Sequence, residues 1–322
     1  MVKLKKFHLI KINILLLFII LIIILIRIYI ESMNNHINIK HPPFILPKCK
    51  RIIAIGDLHS DYNAMLMALK KGGVISGRNN KWSGGDTIVV QLGDQVDGGG
   101  RNIKIDEDNE IKIMTFLLDL HNQAVRKGGG VYSLIGNHEL MNVMGDYRYV
   151  SKEGLKKFDG MKNRYQLFRP GGRMAKFFAQ TRNVIIRVGD WIFVHGGISL
   201  PIAKKYNLKQ INQMMRLYLL GNTKINRKVF NELFNNNNSL LWCRTMSDTD
   251  YSHPNFYKIL NILGAKGIVL GHTPQEQGIN SICNGRIWRT DVAMSNAYGA
   301  DSHNNIQVLE IINNGEKIRV LK

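Results

Sequence analysis

Cysteine is scarce in this 322-residue chain: there are three, at positions 49, 243 and 283, and no two of them form a CxxC pair. This excludes a small disulfide-stapled protein, a zinc knuckle and a thioredoxin-type redox motif. Hydrophobic residues make up 45% of the chain and charged residues 21%, which excludes intrinsic disorder. The length suffices for one large or two small domains with a buried core.

Acidic residues are also few, 24 against 44 lysines and arginines, which gives a formal net charge of +20. The basic residues are dispersed, with no run of five or more and no basic-aromatic signature of nucleic-acid recognition. We therefore interpret the excess as a solvated basic surface and expect no nucleic-acid partner. A weaker attraction for phosphorylated or otherwise acidic substrates is compatible with this charge.

Residues 9–30 consist almost wholly of isoleucine, leucine and phenylalanine. As a helix this segment would measure about 33 Å, enough to cross a membrane. Lysines precede it, so the positive-inside rule predicts a short cytoplasmic tail over 1–8 and a single-pass membrane protein with its N-terminus in the cytoplasm. A cleaved signal peptide is the alternative, but no small-x-small site follows the apolar run. Residues 31–49 are predicted to be a linker and residues 50–322 a single domain.

Short apolar runs alternate with helical patterns from residue 50 onward. This alternation predicts an α/β fold of layered β-sheets flanked by helices. Polar segments follow five of the predicted strands, and they occupy residues 56–61, 93–98, 136–139, 195–197 and 271–273. Because ligands gather at the carboxyl ends of strands in α/β sheets, we expect these segments to converge on one site.

The five segments supply oxygen and nitrogen donors and no cysteine. Such a donor set suits Mn, Fe or Zn and disfavours copper or cluster chemistry. Two metal ions can share one carboxylate, acidify a bridging water and hold the oxygens of a phosphoryl group. Each segment alone is an ordinary turn. All five in order, each after an apolar run, favour a phosphoester hydrolase, which also needs a group to protonate the leaving oxygen.

These segments resemble the GDxHG, GDxVDRG, GNHE, HGG and GHT blocks of the calcineurin-like metallophosphoesterases, specifically of the phosphoprotein phosphatases. The resemblance is closest to the Shewanella-like protein phosphatases. Further stretches resemble that branch outside the metal blocks, at residues 92–97, 136–142, 145–150, 241–244 and 285–295. The resemblance covers residues 50–312 and implies the metallophosphoesterase fold, two divalent metal ions and a phosphorylated protein as substrate.

The resemblance also implies a role for individual residues. Two metal ions, manganese with iron or zinc as alternatives, would be held by Asp57 and His59 on one side, by Asn137, His195 and His272 on the other, and by Asp94 between them. A metal-bridged water would attack phosphorus directly. His138 would protonate the leaving oxygen, and Asp97 would orient His138.

The chain departs from the family pattern at two positions. Ser60 replaces a glycine, a small change, whereas Gly98 replaces the arginine that would hold the substrate phosphate. Arg101 and Arg244 are the candidate phosphate-binding replacements. The expected function is a protein phosphatase. The alternatives are a nucleotide or dinucleoside polyphosphate hydrolase and, because of Gly98, a membrane-tethered pseudophosphatase.

Overall fold

The computed structural model describes residues 41–101, 109–247 and 255–322. The strands in this part of the chain are β1 (Ile45–Leu46), β2 (Arg51–Ile55), β3 (Ile88–Gln91), β4 (Gly130–Leu134), β5 (Arg182–Asn183), β6 (Ile185–Val188), β7 (Trp191–Val194), β8 (Gly267–Leu270), β9 (Asn280–Ile282), β10 (Ile287–Arg289), β11 (Val308–Ile312) and β12 (Lys317–Leu321). The α-helices are α1 (Tyr62–Lys71), α2 (Glu110–Val125), α3 (Asn137–Met144), α4 (Lys152–Lys157), α5 (Met161–Phe168), α6 (Arg173–Thr181), α7 (Leu200–Lys205), α8 (Leu208–Leu219), α9 (Arg227–Phe234) and α10 (Phe256–Leu263).

The strands form two six-stranded sheets. The first has the order β1-β6-β7-β8-β10-β9 and the second the order β12-β11-β2-β3-β4-β5. In the second sheet β2, β3 and β4 are parallel, with Ile55 opposite Gln91 and Gln91 opposite Ser133. In the first sheet β7 and β8 are parallel. The strands of each parallel set end on the same side of their sheet. The segments after β2, β3 and β4 therefore start from one edge of the second sheet, and the segments after β7 and β8 start from one edge of the first sheet.

The first sheet is buried on both faces. Ile186 and Val188 of β6 join a hydrophobic cluster that contains side chains of the second sheet, of α1 and of α2. Ile185 of β6, with Ile192 and Val194 of β7, joins a second cluster that contains side chains from α5 to α10. This alternation is the two-residue period of a strand. The α/β fold with layered sheets flanked by helices is therefore confirmed.

Two predicted hairpins are also present. β6 and β7 pair antiparallel with Val188 opposite Trp191, and Gly189 takes a positive φ of 57° in the turn between them. β11 and β12 pair antiparallel at the C-terminal end of the chain. β1 lies within the segment 31–49 that is predicted to be a linker, and it pairs in parallel with β6.

No helix among the described residues has the length and apolar character needed to cross a membrane. The longest of them, α2, has 16 residues and measures about 24 Å, and its buried side chains lie along one stripe, which is typical of a helix packed on a sheet. The predictions of an N-terminal transmembrane helix and of a single-pass membrane location are corrected accordingly. The segments concerned, 1–8 and 9–30, lie outside the described residues.

Candidate metal centre

The polar segments after β2, β3, β4, β7 and β8 meet at one place between the two sheets. The backbone N–H groups of Leu58 and His59 donate to the Asp94 carbonyl at 3.0 and 2.9 Å. The His272 N–H donates to the Asp57 carboxylate at 3.1 and 3.2 Å, and His195 Nδ1 lies 2.7 Å from the Leu92 carbonyl oxygen. These bonds connect the ends of strands from both sheets.

Several non-glycine residues of these segments adopt left-handed backbone conformations. The φ angles are 40° for His59, 62° for Ser60, 51° for Asp94, 70° for Asp97 and 68° for His272. Each such conformation costs about 1–3 kcal/mol unless the surroundings enforce it, and such residues cluster at functional sites. The strain directs the side chains that follow the strands into the shared space.

Glu139 holds two of the loops together, although no sequence pattern marks it for this role. Its carboxylate is fully buried and accepts N–H bonds from Asp94 (2.9 Å), Gln95 (2.7 Å) and Gly136 (2.7 Å). A longer N–H bond of 3.3 Å comes from Val96. One buried carboxylate thereby fixes the backbone on which Asp94 and α3 depend.

Two groups of donor atoms share Asp94. His59, Asp94 and His138 form one group, and Asp94, His195 and His272 form the other, with the atoms of each group within 4.8 Å of one another. Asp94 Oδ2 lies 3.9 Å from His59 Nε2 and 3.3 Å from His195 Nε2. Two donors about 2.1 Å from one ion lie up to about 4.2 Å apart, so the last two distances fit one ion between Asp94 and His59 and another between Asp94 and His195.

The other two predicted ligands border these groups. Asp57 Oδ2 lies 4.0 Å from His59 Nε2, and its Oδ1 lies 3.9 Å from His195 Nδ1. Asn137 Oδ1 lies 2.8 Å from His195 Nε2. All six predicted metal ligands therefore lie together, and each is buried.

Two glycines are required because carboxylates lie against them. A Cβ atom at position 136 would lie 2.1 Å from Asp94 Oδ1, and one at position 271 would lie 2.5 Å from Asp57 Oδ1. Any larger residue at Gly136 or Gly271 would displace one of these two aspartates.

Burial and the charges of neighbouring groups shift the pKa values of several predicted ligands. Burial, together with repulsion from Asp291, raises the pKa of Asp57 well above its usual range. Burial and the nearby positive charge of Arg101 hold the pKa of His59 well below its usual range, and burial together with His195 does the same for the pKa of His272. Neutral imidazoles and crowded carboxylates are the forms in which these side chains bind metal.

The residues present fit a divalent metal pair. Among the described residues, His272 Nε2 is buried without a hydrogen-bond partner, which is costly unless an ion or a water binds it. His195 Nδ1 lies 2.7 Å from the Leu92 carbonyl oxygen. A metal-binding histidine is commonly fixed in this way, with its second nitrogen left free for the ion.

His138 and Asp97 form a buried pair beside these donors. His138 Nδ1 lies 2.8 Å from Asp97 Oδ2, and His138 Nε2 lies 3.9 Å from Asp94 Oδ2. Burial would lower the pKa of His138, but the charges of Asp94 and Asp97 outweigh it and raise that pKa. His138 is thus an imidazole beside the donor cluster whose Nδ1 atom is held by a carboxylate.

Both candidate phosphate-binding arginines line a cavity of about 350 Å³ over this site. Arg101 lies between two aromatic rings, 5.2 Å from the Tyr149 centroid and 4.8 Å from the Tyr298 centroid, and its Nη2 is 3.0 Å from His59 Nδ1. Arg244 donates to the His272 carbonyl and to Thr273 Oγ1, both at 3.2 Å. The lining residues are His59, Asp94, Arg101, Asn137, His138, Tyr149, Arg244, His272, Pro274 and Tyr298.

Asp291 is a further buried acid at this site, and the sequence pattern assigns it no role. Burial raises its pKa to about 6, and among the described residues its Oδ2 atom is buried without a hydrogen-bond partner. In the sequence, Asp291 is marked only by its place in the stretch 285–295. Tyr149 lies in another such stretch, whereas nothing in the sequence marks Tyr298.

Comparison with known proteins identifies the family. The profile of the calcineurin-like phosphoesterases matches residues 50–276. The chain belongs to this family. It is 32% identical over 295 residues to the Shewanella-like protein phosphatase 2 of Arabidopsis thaliana. The aligned region covers 77% of this chain and 72% of that protein. The resemblance noted in the sequence is thus confirmed, and the protein is a metal-dependent phosphatase.

Two more similarities agree with this assignment. The Shewanella-like protein phosphatase 1 of Plasmodium berghei is 31% identical over 254 residues, covering 76% of this chain and 67% of that protein. The crystal structure of the cold-active protein-tyrosine phosphatase of a psychrophilic Shewanella species superposes with a TM-score of 0.70 at 23% identity, covering 88% of this chain and 84% of that chain. At this identity the superposition shows a shared fold.

Proposed function

We propose that this metallophosphoesterase is a dinuclear-metal phosphoester hydrolase that dephosphorylates proteins. The observation that carries the proposal is the cluster of six buried predicted ligands around Asp94, with the His138–Asp97 pair beside it. The similarity to proteins named as protein phosphatases supports a phosphoprotein as the substrate.

The proposed metal ligands are the six residues predicted from the sequence, Asp57, His59, Asp94, Asn137, His195 and His272. When bound, the metal pair would acidify the attacking water and neutralise charge on the phosphoryl oxygens. Manganese is the proposed ion, with iron or zinc as alternatives, because the donors are oxygen and nitrogen atoms.

His138 is the proposed proton donor to the leaving oxygen. Asp97 holds its Nδ1 atom at 2.8 Å, and His138 lines the cavity. A general acid in this position contributes about 10²–10⁴-fold to the rate.

Arg101 and Arg244 are the proposed contacts for the substrate phosphate. Both line the cavity, and both present guanidinium groups, which suit phosphate oxygens. They would supply the positive charge that is missing at position 98, where the family pattern has an arginine and this chain has Gly98.

The test is hydrolysis of p-nitrophenyl phosphate by the full chain, stripped of metal and then titrated with Mn²⁺. We expect metal-dependent turnover that is lost in Asp94→Asn. In His138→Ala the rate on phenyl phosphate, whose leaving oxygen needs a proton, should fall about 10²–10⁴-fold, and the rate on p-nitrophenyl phosphate should fall much less. The control is His121→Asn: His121 contacts Val131 near the start of β4, at the opposite end of that strand from the site, so its activity should equal that of the wild type.

The same preparation separates the alternatives. Higher kcat/KM on phosphopeptides than on nucleotides or dinucleoside polyphosphates would support the protein phosphatase, and the reverse order would contradict it. Two bound metal ions without turnover of any phosphoester would establish a pseudophosphatase.

A further inference from the structure

A buried arginine outside the family blocks is linked by hydrogen bonds to the His138–Asp97 pair. Arg164, on α5, is fully buried. Its Nη2 atom donates to both carboxylate oxygens of Glu110, at 3.0 and 2.9 Å, and its Nε atom donates to Asn142 Oδ1 at 2.8 Å. The Arg164 guanidinium therefore binds both Glu110 and Asn142.

The first link to Asp97 passes through Asn142, on α3. The Asn142 amide nitrogen donates to Asp97 Oδ1 at 2.8 Å and to the His138 carbonyl at 3.0 Å. Arginine has donors and no acceptor, so the oxygen of the Asn142 amide must face Arg164 and its NH₂ group must face Asp97. Arg164 thereby fixes the orientation of the amide that holds Asp97 Oδ1.

The second link passes through Glu110, at the start of α2. Glu110 Oε1 accepts the backbone N–H of Asp97 at 3.0 Å. Asp97 has a φ of 70°, a conformation that a non-glycine residue keeps only when its surroundings enforce it. The same arginine therefore supports both the main chain and the side chain of Asp97.

The charges and the surroundings make these links strong. Arg164 Nη2 lies 3.8 Å from Asp97 Oδ1, so one guanidinium faces two buried carboxylates. Its Cζ atom lies 4.6 Å from the Phe168 ring centroid and 4.9 Å from that of Phe158. In such an apolar setting hydrogen bonds and charge interactions are stronger than in water.

We propose that Arg164 is a positioning residue for leaving-group protonation: through Asn142 and Glu110 it holds Asp97, and through Asp97 it holds His138. This inference rests on the proposed function, in which His138 donates the proton. It predicts that a change at Arg164 impairs proton donation and leaves metal binding intact, because the hydrogen bonds of Arg164 go to Asn142 and Glu110, and neither is a proposed metal ligand.

The leaving group of the substrate separates this role from a structural one. p-Nitrophenolate departs without a proton, whereas phenolate needs one. For the Mn²⁺-loaded full chain carrying Arg164→Lys, which keeps the charge but loses the planar fork, we expect kcat on phenyl phosphate to fall about 10- to 100-fold and kcat on p-nitrophenyl phosphate to fall less than about 3-fold. KM and the metal stoichiometry should not change.

Two further variants keep the test decisive. Arg289→Lys is the matched control, because Arg289 is also buried but bonds to Asn280 and to the Ser247 carbonyl, and it should lower kcat on the two substrates equally, if at all. Asn142→Ala removes the direct link to Asp97 and should show the same leaving-group dependence as Arg164→Lys, which covers a failure of the arginine variant to fold.

Equal losses on both substrates in Arg164→Lys and Asn142→Ala would overturn the positioning role while leaving the proposed function in place. A wild-type protein that binds metal but hydrolyses neither substrate would overturn both.

Discussion

Glu139 should be the most sensitive buried acid in the loops that carry the metal ligands. In Glu139→Gln one carboxylate oxygen becomes an NH₂ group of nearly the same size. Oε2 accepts from Asp94 and Gly136, and Oε1 accepts from Gln95 and Val96. Whichever way the glutamine turns, two backbone N–H groups face a donor and lose their acceptor.

The magnitude follows from these two lost bonds. Each buried donor left without an acceptor costs about 1–3 kcal/mol, so the free energy of unfolding should fall by about 2–6 kcal/mol. This is a large part of the roughly 5–15 kcal/mol that stabilises a typical protein. The Asp94 N–H is one of the two groups that donate to Oε2. Since losing this bond would shift the proposed metal ligand Asp94, the number of bound metal ions should also fall.

The assay is equilibrium unfolding in urea without added metal, since metal bound to the native state would add stability of its own. Glu153→Gln is the control: Glu153 lies on α4 and pairs with Lys156 at the surface, so its free energy of unfolding should stay within about 0.5 kcal/mol of the wild type. If Glu139→Gln also stayed within that margin, the assigned role of the carboxylate would be wrong.

Three other predictions concern the same site. Gly136→Ala places a Cβ atom 2.1 Å from Asp94 Oδ1 and should abolish the rise in melting temperature on adding Mn²⁺, whereas Gly77→Ala, with open space around its Cβ, should retain it. Although burial opposes it, Asp94 raises the pKa of His195 to about 10. Metal binding at neutral pH should therefore release a proton and weaken as the pH falls, which calorimetry in buffers of different ionisation enthalpy measures. Arg244→Ala should lower kcat/KM on p-nitrophenyl phosphate about 10- to 100-fold, and unchanged kinetics would exclude Arg244 from the phosphate site.

The sequence predicts the strands well because apolar runs ending at glycine are a local signal. The run at 51–55 is β2, and the run before Gly271 is β8. The division into two sheets has no such signal. β1 is two residues long and pairs with β6 about 140 positions away, and its place in the first sheet depends on tertiary packing.

The candidate site shows the same division between local and distant information. The residues grouped around Asp94 are recognisable because each follows a strand and belongs to a short block. Arg164 lies 54 positions from Glu110 and belongs to no block. A buried ion pair between two helices leaves no periodic or motif signal, so its link to Asp97 could be found only in the folded chain.

Residues 98–100 are three glycines, and the first of them stands where the family pattern has its arginine. The packing of this glycine run explains where Arg101 lies. A Cβ atom at Gly99 would lie 2.7 Å from the Ser151 backbone, and Gly100 has a φ of 72° with the Arg148 carbonyl 2.5 Å from its Cβ position. The run therefore packs directly against the backbone of 148–151 and turns back toward the cavity. Arg101 then donates to the carbonyls of Asp97 (2.9 Å) and Gly99 (3.1 Å). These bonds hold the guanidinium beside His59, on the wall of the cavity where Arg101 is proposed to contact the substrate phosphate.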